Sequence, residues 1–354
     1  MLRRTFLNVL LAAVVLVAGI LATSGILFAQ GRSQDAFERV AAVQARQTGA
    51  LMARPGVVGT AIGLGQGDQP VLLVLVEDGG VPGIPQSVEG VPVRPLVTGK
   101  IYALAPPEGK GKPPKDDPPP EDPDLDPTSR WPRPVPIGVS TGHPSITAGT
   151  IGCRVTDGTD VYALSNNHVY ADENQAAEDD AVIQPGSSDG GSSQADDIGT
   201  LDAFVPINFE GGSNVVDAAI ALSSTAKLDK STPSDGYGVP KSTTVAASIN
   251  QKVKKYGRTT GLTKGQVYAL NATVNVGYST GVARFVNQII ITPGGFSAPG
   301  DSGSLVVVDG KGRDRADDRK PVGLLFAGSD LYTIANPIDL VLDGFSVRVW
   351  IDGE

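Results

Sequence analysis

The apolar positions of this chain change their spacing several times, and each change marks a different kind of element. From Phe6 to about Ala29 the run is apolar on all faces, broken only by Asn8, Thr23, Ser24 and glycine, and Arg3-Arg4 precede it. That is the form of a secretory signal, and at roughly 20 residues it also reaches the length that spans a bilayer. Residues 1–30 are therefore expected to be a signal peptide, with Leu27-Phe28-Ala29 as an imperfect cleavage site, or an uncleaved membrane anchor. No Cys follows the run, which excludes a lipoprotein anchor, and either form puts the remaining chain outside the cytoplasm. Beyond it, Phe37, Val40, Ala41, Val43 and Ala50 make a rough helical stripe that Ser33 would cap and Pro55-Gly56 would stop. Continuous or alternating apolar runs then predict strands at Val57–Leu64, Val71–Val76, Val91–Val97 and Lys100–Leu104. Gly-Asp-Gln-Pro reads as the turn between the first two, and Pro92 and Pro95 confine the third to an edge. Residues 33–105 thus read as a small α+β domain, either a chaperone-like or inhibitory pro-region or a structural or partner-binding module.

The pattern then lapses. Residues 106–136 contain twelve prolines and an acid-rich run from Asp116 to Asp126, so they predict an extended, solvated linker. Such a segment is a natural place for proteolytic separation, including by the chain's own activity. From 137 to 354 short apolar runs alternate with Gly-rich turns, and aromatics are few, which suits an all-β domain of many short strands. The length of 354 residues allows two domains, each with its own core. The net charge of −9 argues against a nucleic-acid partner.

Candidate chemistry lies in Gly300-Asp301-Ser302-Gly303, set between two apolar strands. A serine hydroxyl needs a neighbouring base to become a nucleophile, and the chain has two histidines. His168 follows an apolar strand in Ser165-Asn166-Asn167-His168-Val169, whereas His143 sits before a Pro in a loop. Asp217 precedes Ala-Ala-Ile-Ala-Leu, with Asp202 as a competitor for the third role. The order His168, Asp217, Ser302 is that of the chymotrypsin-type triads. Ser304 replaces the second Gly of a Gly-x-Ser-x-Gly elbow, which disfavours an α/β-hydrolase. Taken alone, Gly-Asp-Ser-Gly is an ordinary turn composition. Cys153, in a strand, reads as a small buried hydrophobe.

With these motifs in order, and with Tyr256–Gly265 and Pro321–Gly328 beyond them, residues 137–350 resemble the trypsin-like (chymotrypsin-fold) serine peptidases. Ser-Asn-Asn-His-Val with Gly-Asp-Ser-Gly-Ser is similar in detail to bacterial relatives of the plant Narrow Leaf group. The resemblance implies two antiparallel six-stranded β-barrels meeting at a triad of His168, Asp217 and Ser302. It implies an oxyanion hole from the amides of Gly300 and Ser302, and a pocket for the residue before the cut formed by Phe296, Phe326 and Gly328. None of the pocket residues is acidic or basic, so a small or medium apolar preference is expected. Protein or peptide substrates are implied, and neither cofactor nor metal. Asp301 beside the serine could pair with a newly made N-terminus, although many bacterial members carry this Asp without such activation. A catalytically silent binding protein on the same fold, and an esterase with the same triad, are the alternatives. The acid-rich stretch Ala171–Gly199 reads as a solvated loop, with Ca²⁺ binding as the rival reading.

Overall fold

The computed structural model describes residues 34–104 and 126–354. The signal or anchor expected over 1–30, the cap expected from Ser33 and most of the proline-rich segment lie outside the described residues. Helix α1 covers residues 34–52. Strands β1 (Val57–Leu64) and β2 (Pro70–Val76) form a hairpin whose turn holds Gly67 and Asp68 at positive φ. Then come β3 (Ser87–Val88), β4 (Val91–Val97) and β5 (Ile101–Ala103). The middle of the chain forms β6 (Ser140–Thr141), β7 (Gly149–Thr150), β8 (Cys153–Thr156) and β9 (Val161–Ser165). One turn of helix, α2 (Asn167–Tyr170), leads to β10 (Ala181–Ile183), β11 (Asp197–Phe204), β12 (Ser213–Asn214) and β13 (Ala219–Ser223). The last part holds β14 (Lys252–Gly257), β15 (Gly261–Gly277), β16 (Val282–Thr292) and β17 (Leu305–Val308). It ends with β18 (Pro321–Gly328), β19 (Thr333–Pro337), α3 (Ile338–Leu342) and β20 (Trp350–Ile351).

The molecule is mostly β, with few helices. One sheet of six antiparallel strands runs β10-β11-β13-β9-β8-β20. In the C-terminal part, β14, β15, β16, β19, β18 and β17 pair in turn, and β17 returns to β14. The N-terminal strands do not stand apart from this cycle. Strand β1 lies antiparallel on β15, β2 follows it, and β4 lies parallel to β2, so all belong to one 12-stranded sheet. Among the described residues only the two-residue β3 lies outside β4, which suits a strand whose Pro92 and Pro95 lack amide donors.

Two faces of the N-terminal hairpin explain its apolar runs. Ile62, Leu72, Val74 and Val76 pack beneath Val40, Val43 and Leu51 of α1. On the other face Ala61, Leu73 and Leu75 join Ala269, Val274, Phe285 and Phe326. The helical stripe ends on Leu51 and not on the predicted Ala50, which is exposed, because Leu51 keeps the phase of Val40 and Val43. Gln44 of α1 is buried and donates to Thr60 Oγ1 (3.1 Å) and to the carbonyl of Asn271 in β15 (2.8 Å). Asn271 sits at φ 51°, where β15 slips register against β16.

The predicted linker is already packed from Asp126 onward. Pro127 and Val135 are buried, and Trp131 lies against the core of the six-stranded half. Arg130 grips Asp196 through Nε (2.5 Å) and Nη2 (2.9 Å). Composition alone does not expose these anchors, because they reach partners some sixty residues away.

Candidate functional site

Strand pairing brings the expected acid and base together. In β9 and β13, Ser165 lies opposite Ala219. His168 follows the first of these on α2, and Asp217 precedes the second, so both side chains reach the same end of the sheet. His168 Nδ1 is 2.6 Å from Asp217 Oδ2, and the His168 amide donates to Oδ1 at 3.2 Å. A carboxylate only accepts, so Nδ1 carries a proton and is the donor. Nε2 is buried and has no hydrogen-bond partner among the described residues. Asn166 Nδ2 donates to the Asp217 carbonyl (2.8 Å), and the Asp217 amide donates to Asn336 Oδ1 (3.0 Å).

Tyr278, which the sequence reading does not single out, completes this arrangement. Its hydroxyl donates to Asp217 Oδ2 at 2.8 Å, and its ring meets the His168 ring edge-on at 5.9 Å. Burial and the Asp217 charge hold the phenol well above its ordinary pKa, so it remains a donor. The tip of the β15–β16 hairpin that carries it is held by Glu173, which accepts from Ser279 N, Thr280 N and Thr280 Oγ1.

Ser302 lies in the turn before β17 and is buried. Its Oγ donates to the carbonyl of Phe326 at 3.2 Å, not to His168. Gly300 and Gly303 on either side have φ of 101° and 93°. A Cβ at Gly300 would stand 2.4 Å from Thr259 Oγ1, and one at Gly303 would stand 2.2 Å from Thr150 O. Only glycine fits both the left-handed backbone and the space. Asp301 turns inward, where its carboxylate accepts from the amides of Ala298 (2.9 Å), Thr259 (2.9 Å) and Thr260 (3.2 Å) and faces Lys255 Nζ at 3.3 Å. The cation facing Asp301 is thus an internal lysine, buried like the carboxylate itself.

The Gly300 amide has an acceptor: the carbonyl of Leu104, at 2.7 Å. Leu104 N donates to the same Phe326 carbonyl that Ser302 uses, at 3.2 Å. The Leu104 side chain belongs to the cluster of Phe296 and Val306, and a methyl added at Gly328 would touch its Cδ1 at 3.5 Å. Leu104 thus lies against Gly328 and in the same apolar cluster as Phe296. Phe326 contributes its carbonyl to this site while its ring turns away, 4.8 Å from that of Phe285.

The remaining sequence candidates have other partners. Asp202, on β11, makes no hydrogen bond to His168. His143 Nε2 is 3.2 Å from Asp180. Cys153 is buried, which pushes its thiol pKa up. Among the acids after His168, Asp189 pairs with Arg258 (2.5 Å), Asp196 with Arg130 and Asp197 with Lys227.

Residues 235–334 match a family model described as the Nal1 C-terminal domain, a span that contains Ser302 but neither His168 nor Asp217. No curated protein matches the chain in sequence. Among solved structures, Thermobifida fusca protease A shares 17% identity at a TM-score of 0.44, over 62% of this chain and 100% of that one. The Nocardiopsis protease NAPase shares 17% at 0.42, over 61% and 99%. A glutamic acid specific serine protease, which uses a histidine triad in substrate binding, shares 21% at 0.43, over 61% and 100%. The chain is similar to chymotrypsin-fold bacterial serine proteases and, over one stretch, to the Nal1 C-terminal domain.

Proposed function

We propose that the protein is a serine endopeptidase of two-barrel, chymotrypsin-like design that acts on proteins or peptides outside the cytoplasm. The observation that carries this reading is the buried His168–Asp217 pair, with its free Nε2, beside a serine turn whose Gly300 amide already holds a carbonyl. The closed cycle of pairings in the C-terminal part and the six-stranded sheet before it support the two-barrel description. The apolar N-terminal run is what supports export; among the described residues no helix is long and apolar enough to cross a membrane. In the reaction, Ser302 Oγ turns from Phe326 to His168 Nε2, exchanging one hydrogen bond of about 1 kcal/mol for another. Its proton passes to Nε2 as Oγ attacks the acyl carbon, and His168 then protonates the leaving amine. The Gly300 amide receives the developing oxyanion, a contribution of about 3–4 kcal/mol for a donor of this kind.

A second reading, a silent binding protein on the same fold, draws on the Ser302–Phe326 hydrogen bond and on the Leu104 strand that fills the cleft. A fluorophosphonate probe separates the two. It is applied to the full chain and to Leu104→Asp, whose charge opposes the seat beside Phe296. Labelling that disappears with Ser302→Ala and His168→Ala supports the peptidase; no labelling of either form supports the binding protein.

A further inference from the structure

We propose that Ile101–Leu104 is the enzyme's own first substrate, held in the register of a peptide about to be cut, and that Ser302 cleaves the bond joining Leu104 to Ala105. The proposal rests on the peptidase reading above.

Four contacts define the register. Strand β5 runs antiparallel to β18, with Ala103 opposite Ala327 and Tyr102 opposite Gly328. Leu104 N then donates to the Phe326 carbonyl, and Leu104 O accepts from Gly300 N. Leu104 is 7% exposed and belongs to the buried cluster that holds Phe296, whereas Tyr102, two residues earlier, is 53% exposed. The opposite edge of β5 is taken by β15, with Ile101 beside Val276 and Tyr102 beside Gly277. A strand added to a sheet edge draws affinity from its backbone and selectivity from the side chain it buries. Here that side chain is leucine, and the group beyond it is a carbonyl aimed at the glycine amide next to Ser302. A strand that merely filled the sheet would have no need of that amide.

The reaction balances without any co-reactant except water. Ser302 Oγ bonds to the Leu104 carbonyl carbon, and the Leu104–Ala105 C–N bond breaks. The serine proton, carried by His168 Nε2, goes to the departing Ala105 nitrogen. Water then releases Ser302 and leaves Leu104 with a carboxylate. Because β1, β2 and β4 remain in the 12-stranded sheet, the new end stays seated after the cut.

The test follows the full-length chain by intact mass and terminal sequencing. Two pieces are expected, one ending at Leu104 and one beginning at Ala105, formed at a rate independent of protein concentration. Ser302→Ala should remain one chain. Leu104→Ala should slow the cut about 10- to 200-fold, as expected for a truncated side chain in an apolar pocket. Leu104→Met, of similar volume, should keep it. Leu104→Asp should not be cut here. A wild-type chain that stays intact at this bond, or a Ser302→Ala chain cut there equally, overturns the proposal. Fluorophosphonate labelling of Leu104→Asp then tells the two failures apart. Labelling beside an intact wild type removes self-cleavage alone, whereas neither labelling nor cutting removes the peptidase reading too.

Discussion

The Asp217 carboxylate accepts three hydrogen bonds, from the amide and Nδ1 of His168 and from the hydroxyl of Tyr278. Hydrogen bonds to a charged acceptor contribute roughly 1.5–3 kcal/mol each, more than neutral ones. Tyr278 also presses its ring against His168, so it positions both partners. Tyr278→Phe keeps the ring and removes one donor. It should lower the rate of fluorophosphonate labelling of Leu104→Asp about tenfold, at the low end of that range, with little change in melting temperature. A purely structural role would shift the melting temperature and leave labelling alone. At this scale His168, Asp217, Ser302 and Gly300 are legible in the sequence, because each sits in a short motif whose order carries meaning. Tyr278 is not, because it reaches Asp217 from a hairpin tip 61 residues away and no local pattern marks it.

Among the elements, the segment 126–136 behaves as a strap across the six-stranded half. Arg130 holds Asp196 and the Gly190 carbonyl, and Arg133 reaches the Asp196 carbonyl. The Arg130 guanidinium holds the Asp196 carboxyl below its usual range, helped by the Ser192 amide. A depressed carboxylate stabilises the fold above its unfolded pKa, about 3.9, and that stability is lost as the pH falls through the folded value. Arg130→Ala in a Ser302→Ala background should therefore melt below its parent at neutral pH, and the gap should close in acid; thermal melts across pH measure it. A gap that persists unchanged in acid would assign the strap's hold to Trp131 packing. The strands at Val57–Leu64, Val71–Val76 and Pro321–Gly328 are readable as apolar runs. Strand β15 is harder to read, since its seventeen residues carry glycines and the left-handed Asn271 that break any simple alternation. Strand β5 is visible as a short run at Lys100–Leu104, yet its pairing with β15 and β18 is not, since both lie far along the chain.

Over the whole molecule, the two halves are joined near the serine turn by buried charge. Arg258, fully buried, forks onto Asp189 (2.5 and 2.8 Å), which also accepts from Ser140 Oγ (2.6 Å). The Arg258 amide donates to Thr150 Oγ1, whose hydroxyl donates to the Gly300 carbonyl, so the same junction supports the turn. Arg258→Met in the Ser302→Ala background should cost about 3–5 kcal/mol in urea unfolding, the usual result of stranding one buried charge. A much smaller loss would mean that Asp189 finds water or another cation. Composition announces acidic loops, but the choice of Asp189 for this contact depends on how the halves meet. Strand β5 hangs from β4 by Thr98-Gly99-Lys100, and the Thr98 amide is itself fixed to Val76 O at 2.9 Å. So short a tether gives the tetrapeptide an effective concentration at the cleft of about 1 mM or more. An outside peptide making the same contacts must outcompete that tethered rival. If both bind with an intrinsic constant of about 10 µM, the outsider's apparent constant rises to about 1 mM. On those values a peptide tested against the intact chain binds about a hundredfold more weakly than its intrinsic constant.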